Sequence, residues 1–102
     1  MRNHRAEQEV LGVVIWLIAN DHDKHAEEVI DLLRPLPEDL FFSHQHRSIF
    51  NILSSLDTPE TRSLSYIETR AKQNKCWSDD PSDKHDISSE YLHELSEKGD
   101  LT

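Results

Sequence analysis

Between Val10 and Ala19 the chain offers water almost nothing to hold. Val10, Leu11, Val13, Val14, Ile15, Trp16, Leu17 and Ile18 are all apolar, and Gly12 interrupts the run. Wound as a helix from Ala6 to Asn20, these side chains surround most of the axis, and a helix that is apolar all round belongs at the centre of a fold. The run is too short to cross a bilayer, which takes ~20 apolar residues. The polar, charged segment Met1–Glu9 ahead of it is unlike a signal peptide. A glycine inside a helix costs about 1 kcal/mol relative to alanine. It is commonly kept where a neighbouring helix packs close, so a close neighbour is expected at Gly12.

The rest of the chain supplies helices to surround that one. Ala26, Val29, Ile30 and Leu33 recur at helical spacing from about Asp23 to Arg34, and Pro35 ends the pattern. Pro37-Glu38-Asp39-Leu40 reads as a short turn, and Phe41 and Phe42 follow as expected core anchors. Ser43 is a good N-cap for a helix to about Leu56 that buries Ile49, Phe50, Leu53 and Leu56. Asp57–Thr61 is a loop. A fourth helix is expected from Ser65 to about Asn74, because Ser65 and Glu68 have capping-box spacing; it buries Ile67 and Ala71, with Trp77 over its end. Ser78–Asp86 holds no apolar residue, and about 78–87 is expected to be a mobile loop. The last helix spans about Ser88 to Glu97, with Tyr91, Leu92 and Leu95 facing in and Gly99 as its stop. Nothing alternates with period two, and only two glycines are present. The fold class is therefore all-α: a compact bundle of about five helices, one domain over residues 1–102.

Composition narrows the chemistry. The formal charge is −9, whereas phosphate binding needs local positive charge, so no strong direct nucleic-acid binding is expected. A single-strand site could use Trp77 with Arg70, Lys72 and Lys75 for stacking and charge, but the net charge opposes it, and the three cations read better as a solvated helix face. Cys76 is the only cysteine. No intramolecular disulfide is possible, which fits a reducing, cytoplasmic setting, and Cys76 is expected to be an ordinary, partly exposed thiol.

No phosphate-binding loop of the form GxxxxGK[ST] exists, and with only Gly12 and Gly99 none could. There is no GxSxG and no HExxH. Seven histidines include the close pairs His22/His25 and His44/His46, but their spacing does not define a metal site, and they read as residues of helix starts and wet faces. The adjacent carboxylates Glu27/Glu28 and Asp79/Asp80 do not face each other on a helix and are solvated in a loop. No acid–base pair with a reason for shifted pKa values is expected. The chain is thus expected to be no enzyme and to carry no cofactor and no metal. The alternative function is a small histidine-rich metal- or ligand-binding helical protein.

Four short motifs carry a resemblance. Ala6-Glu7-Gln8-Glu9-Val10-Leu11-Gly12 resembles the AEQxVLG that opens the N-terminal domain of DnaB-type replicative DNA helicases. Pro37-Glu38-Asp39-Leu40-Phe41 resembles that family's (P)EDF turn, His46-Arg47-Ser48-Ile49-Phe50 its HRxIF helix, and Tyr91-Leu92-His93-Glu94-Leu95 its YLxEL helix. They stand in the family's order over nearly the whole chain. The family residues carried over are Glu7, Gln8, Leu11, Gly12, Glu38, Asp39, Phe41, His46, Arg47, Ile49, Phe50, Tyr91, Leu92 and Leu95, and most of them are expected to specify the fold.

The resemblance implies a helical head that contacts neighbouring helicase subunits, primase or a helicase loader; the C-terminal part of bacterial primase is similar. The sequence departs from the family in two ways. Lys84-His85-Asp86-Ile87-Ser88 stands where the family has a Gly-rich segment. Neither the helical hairpin nor the RecA-like motor is among these 102 residues, so collar formation, ATP hydrolysis and unwinding are not expected of them. A monomer or weak dimer is expected, with no membrane attachment.

Overall fold

A computed structural model describes residues 3–80, 82–83 and 85–100. Pro81 and Lys84 of the expected loop lie outside the described residues, as does the side chain of Glu38. The order is α1 (His4–Ala19), α2 (Asp23–Leu33), a 3-10 turn (Glu38–Leu40), α3 (His44–Leu53), a second 3-10 turn (Pro59–Thr61), α4 (Leu64–Gln73) and α5 (Ser89–Lys98). Among the described residues there is no strand, only an isolated bridge between Trp77 and Ile87. The radius of gyration, 12.2 Å, matches the roughly 12.8 Å of a compact chain of this length. No helix among the described residues is long and apolar enough to cross a membrane.

α1 is the hub. Leu11, Val14, Ile15, Leu17 and Ile18 are buried along it, and it touches each of α2, α3, α4 and α5, most extensively α5. The α1–α5 crossing is backbone on backbone, as the interruption at Gly12 predicts. A Cβ built on Gly12 would lie 2.2 Å from the carbonyl oxygen of Leu95, and one on Gly99 would lie 2.0 Å from the carbonyl carbon of Gly12. Two glycines therefore face each other, and Leu95, buried beside them, seals the contact.

Helix boundaries follow local hydrogen bonding. Side-chain oxygens of Asn3, Ser43, Ser63 and Ser88 accept from the N–H groups of Ala6, His46, Tyr66 and Tyr91, each satisfying a donor at a helix N-terminus. The cap of α4 is thus Ser63 rather than Ser65: a serine accepts most readily from the N–H three residues on, and Ser63 has that partner in Tyr66. α3 ends at Leu53, earlier than Leu56, where the Ser54 and Ser55 hydroxyls turn back onto backbone carbonyls. Phe42 corrects another expectation: Phe41 is buried, but Phe42 is 69% exposed. The two neighbours leave the 3-10 turn on opposite sides, so only one can enter the core. Cys76 is buried, not partly exposed; its thiol donates to the Ala71 carbonyl, and burial pushes its pKa up.

α1 and α4 stop by the same device. Asp21 and Lys75 take left-handed backbone angles, φ 60° and 58°, and the next N–H reaches back five residues, His22 to Leu17 and Cys76 to Ala71, as in a Schellman closure. Lysine is a poor left-handed residue. Lys75→Gly is expected to stabilise the fold by about 0.5–1 kcal/mol, read as a higher denaturation midpoint at unchanged slope.

The segment after α4 is fastened at both ends. Ile87 is buried; its N–H donates to the Cys76 carbonyl, and its own carbonyl accepts from the Ser78 N–H. Gln45, buried on α3, donates to the Asp86 carbonyl at 2.8 Å. On the opposite strap, the nearly buried Arg62 forms a forked pair with Asp23 (2.6 and 3.2 Å) and donates to the Leu56 carbonyl. Arg34 reaches the carbonyls of Ser54 and Leu56 and pairs with Asp31 and Asp57. Two arginines far apart in sequence thereby satisfy carbonyls just beyond α3.

Candidate functional site

At the end of the molecule where α1, α3 and α5 begin, three helix starts share one polar network. Glu7 lies in the first turn of α1, yet its side chain is buried. Its carboxylate accepts from the backbone N–H of Phe42 (2.9 Å), from that of Ser43 (3.4 Å) and from His46 Nδ1 (2.8 Å). His46 is fully buried on α3, and its Nε2 meets the Tyr91 hydroxyl of α5. Gln8 Nε2 donates to the same hydroxyl at 3.2 Å. His4 stacks on His46 at 4.8 Å between ring centres.

The donors and acceptors run in one direction. A neutral imidazole protonated on Nδ1 donates to Glu7 and accepts from Tyr91, whose oxygen in turn accepts from Gln8; every polar atom on this path has a partner. Burial alone would push the Glu7 carboxyl up. The Phe42 N–H, His46 and the Ser43 N–H outweigh it and hold the group below its ordinary value. Burial is also the largest influence on His46 and drives the imidazole down; the opposing pull of Glu7 is smaller. Burial pushes the Tyr91 phenol up. The arrangement is thus a carboxylate beside a neutral histidine and a neutral phenol.

This corrects two readings made from spacing. His46 stands at a helix start, as expected, but is buried rather than solvated, and Glu7 with His46 is a carboxylate–imidazole pair with shifted pKa values. Their 39-residue separation hides the pair from any search for neighbouring residues.

The sign of the pH dependence follows. The unfolded chain protonates His46 near pH 6.5, whereas the folded chain resists. That stability is complete above about pH 6.5 and is lost as pH falls below it. Glu7, held low, contributes stability above about pH 4.5 that disappears as pH falls further. The melting temperature of wild type is therefore expected to fall in two stages on acidification. The upper stage should shrink in His46→Gln, whose amide does not titrate; equal upper stages in both proteins would contradict the assignment.

The other motif residues take structural places. Leu11, Ile49, Phe50, Leu92 and Leu95 are core, with Phe41 stacked at a tilt against Phe50, 5.1 Å between ring centres. Asp39 is exposed. Arg47 is half-buried and donates to the Phe42 carbonyl at 3.3 Å. Of the expected cationic face, Lys72 pairs with Glu68 and lies over the Trp77 ring. Among the described residues no group of three or more His, Cys, Asp or Glu side chains is placed to hold a metal ion. Gln45, Arg34 and Arg62 were not singled out from the sequence, and no local pattern marks them.

Comparison of the chain with protein-family models, with curated proteins and with solved structures finds no match.

Proposed function

We propose that this chain is a non-catalytic protein-interaction domain of cytoplasmic DNA replication, similar to the N-terminal head of DnaB-type helicases, and that it meets helicase subunits, primase or a helicase loader. One observation carries the reading. The four motifs lie far apart in sequence, yet they meet in space. Glu7 and Gln8 of the first join His46 of the third and Tyr91 of the fourth. The second motif ends at Phe41, and the N–H of the next residue, Phe42, donates to Glu7. Gly12 of the first motif packs on the Leu95 carbonyl of the fourth. Motifs matched by chance have no reason to meet in one buried network. A shared architecture supplies that reason, because these side chains lock the relative positions of three helices.

The Glu7–His46–Tyr91 path is closed to solvent except at its tyrosine end, and in this reading it serves rigidity rather than catalysis. A rigid head of this kind works by presenting a fixed outer surface to partners. The test is capture with the tagged chain from an extract of its source cell, followed by mass spectrometry. The reading expects enrichment of the replicative helicase, primase or loader over a tagged control. Recovery of none of them, from an extract shown to contain them, would remove its support.

A further inference from the structure

α4 and α5 leave an open groove of about 270 Å³ between them, lined by Leu64, Glu68, Trp77, Leu92, His93 and Ser96 among others. Its apolar surface comes from Leu64, which is 37% exposed, from half-buried Trp77 and from the edge of Leu92. Its rim is acidic. Glu68 lies on one wall with Lys72 bound to it and set over the Trp77 ring, Asp79 accepts from the Trp77 indole N–H at 3.2 Å, and Glu97 pairs with His93 at 3.0 Å, so carboxylates are in excess. The stretch that carries one wall of the groove is acidic overall: residues 78–102 hold eight carboxylates against two lysines, −6 of the chain's −9, although Asp86 lies on another face beside His44 and Lys75.

We propose that this groove docks a large apolar side chain carried on a lysine- or arginine-rich helical segment of a partner protein. The inference rests on the reading of the chain as an interaction domain, and it adds the partner's chemistry and the face it meets. Apolar surface alone would accept many side chains; carboxylates on the rim select the flanking charge and repel acidic partners and nucleic acid. The cost to the domain is small. Glu68–Lys72 and His93–Glu97 are exposed pairs one helical turn apart, and such pairs contribute little in water, so both carboxylates are available to exchange partners once an anchor excludes solvent.

The probe is an amidated 15-residue lysine peptide with leucines at i, i+3, i+4 and i+7, titrated into ¹⁵N-labelled protein. Two controls accompany it, one with the leucines changed to serine and one with the lysines changed to glutamate. The expected result is saturable shifts at Leu64, Glu68, Leu92, His93, Ser96 and the Trp77 indole, with each control weaker by about tenfold or more. Ser96→Trp should fill the groove and remove those shifts while keeping the wild-type melting transition, and Glu68→Gln should weaken binding without blocking the space. Shifts centred elsewhere, binding indifferent to the leucine-to-serine change, or no binding would each overturn the groove. Capture of replication proteins from extract would still stand or fall on its own result.

Discussion

Gly12→Ala is expected to cost about 3 kcal/mol and to lower the melting temperature by about 12–20 °C, although alanine is the better helix former by about 1 kcal/mol. The added methyl would sit 2.2 Å from the Leu95 carbonyl oxygen, 3.0 Å from the Gly99 nitrogen and 3.2 Å from the Leu95 carbonyl carbon. Every one of these is backbone, so no side chain can swing away and the helices must separate. Separation loosens the most extensive contact in the fold. Gly99→Ala meets the same obstacle from the other side, with the Gly12 carbonyl carbon at 2.0 Å. Because both changes force open one crossing, the double variant should lose less than the sum of the singles. Denaturant unfolding of all three proteins measures this. A Gly12→Ala protein more stable than wild type would mean that α1 and α5 do not meet here.

Glu7→Leu is expected to lose about 4 kcal/mol, because it leaves buried N–H donors without an acceptor, at about 1–3 kcal/mol each. Three donors converge on that carboxylate, and two of them are backbone N–H groups. Changing His46 as well cannot repair the damage, because the N–H groups of Phe42 and Ser43 remain to be satisfied. Glu7→Gln should lose about half as much: its carbonyl oxygen still accepts, but its amide N–H₂ faces another donor. A double-mutant cycle with His46→Leu should give a coupling of about 1–3 kcal/mol between positions 7 and 46. A coupling near zero would mean that the two side chains do not share a proton-ordered contact.

Much of this fold is legible in the sequence because helices announce themselves locally. The apolar run around Gly12, the serine at position 43 and Pro35 mark a central helix, a start and a stop without reference to anything distant. The glycine even foretells its close neighbour, though not that the neighbour brings a second glycine, Gly99. The network is a different kind of feature. Glu7 near a helix start reads first as a favourable charge at the dipole's positive end, and that account is complete in itself, so nothing in the local sequence asks for more. His46 and Tyr91 acquire their meaning only when three helix starts converge. Phe42 fails for the same reason: hydrophobicity ranks it with Phe41, and only the direction in which the chain leaves the 3-10 turn separates them. Arg34 and Arg62 reach carbonyls beyond α3 that become orphans only because that helix ends at Leu53.

The motif resemblance and the buried network thus bear on one claim: a rigid head that replication proteins recognise. The most direct test is calorimetric titration of the purified chain into the purified replicative helicase, primase and loader of its own source, each separately. The account predicts a saturable complex with at least one of them, with a dissociation constant of about 10 μM or tighter. Heats no larger than dilution with all three, from a chain shown by its melting transition to be folded, would contradict it.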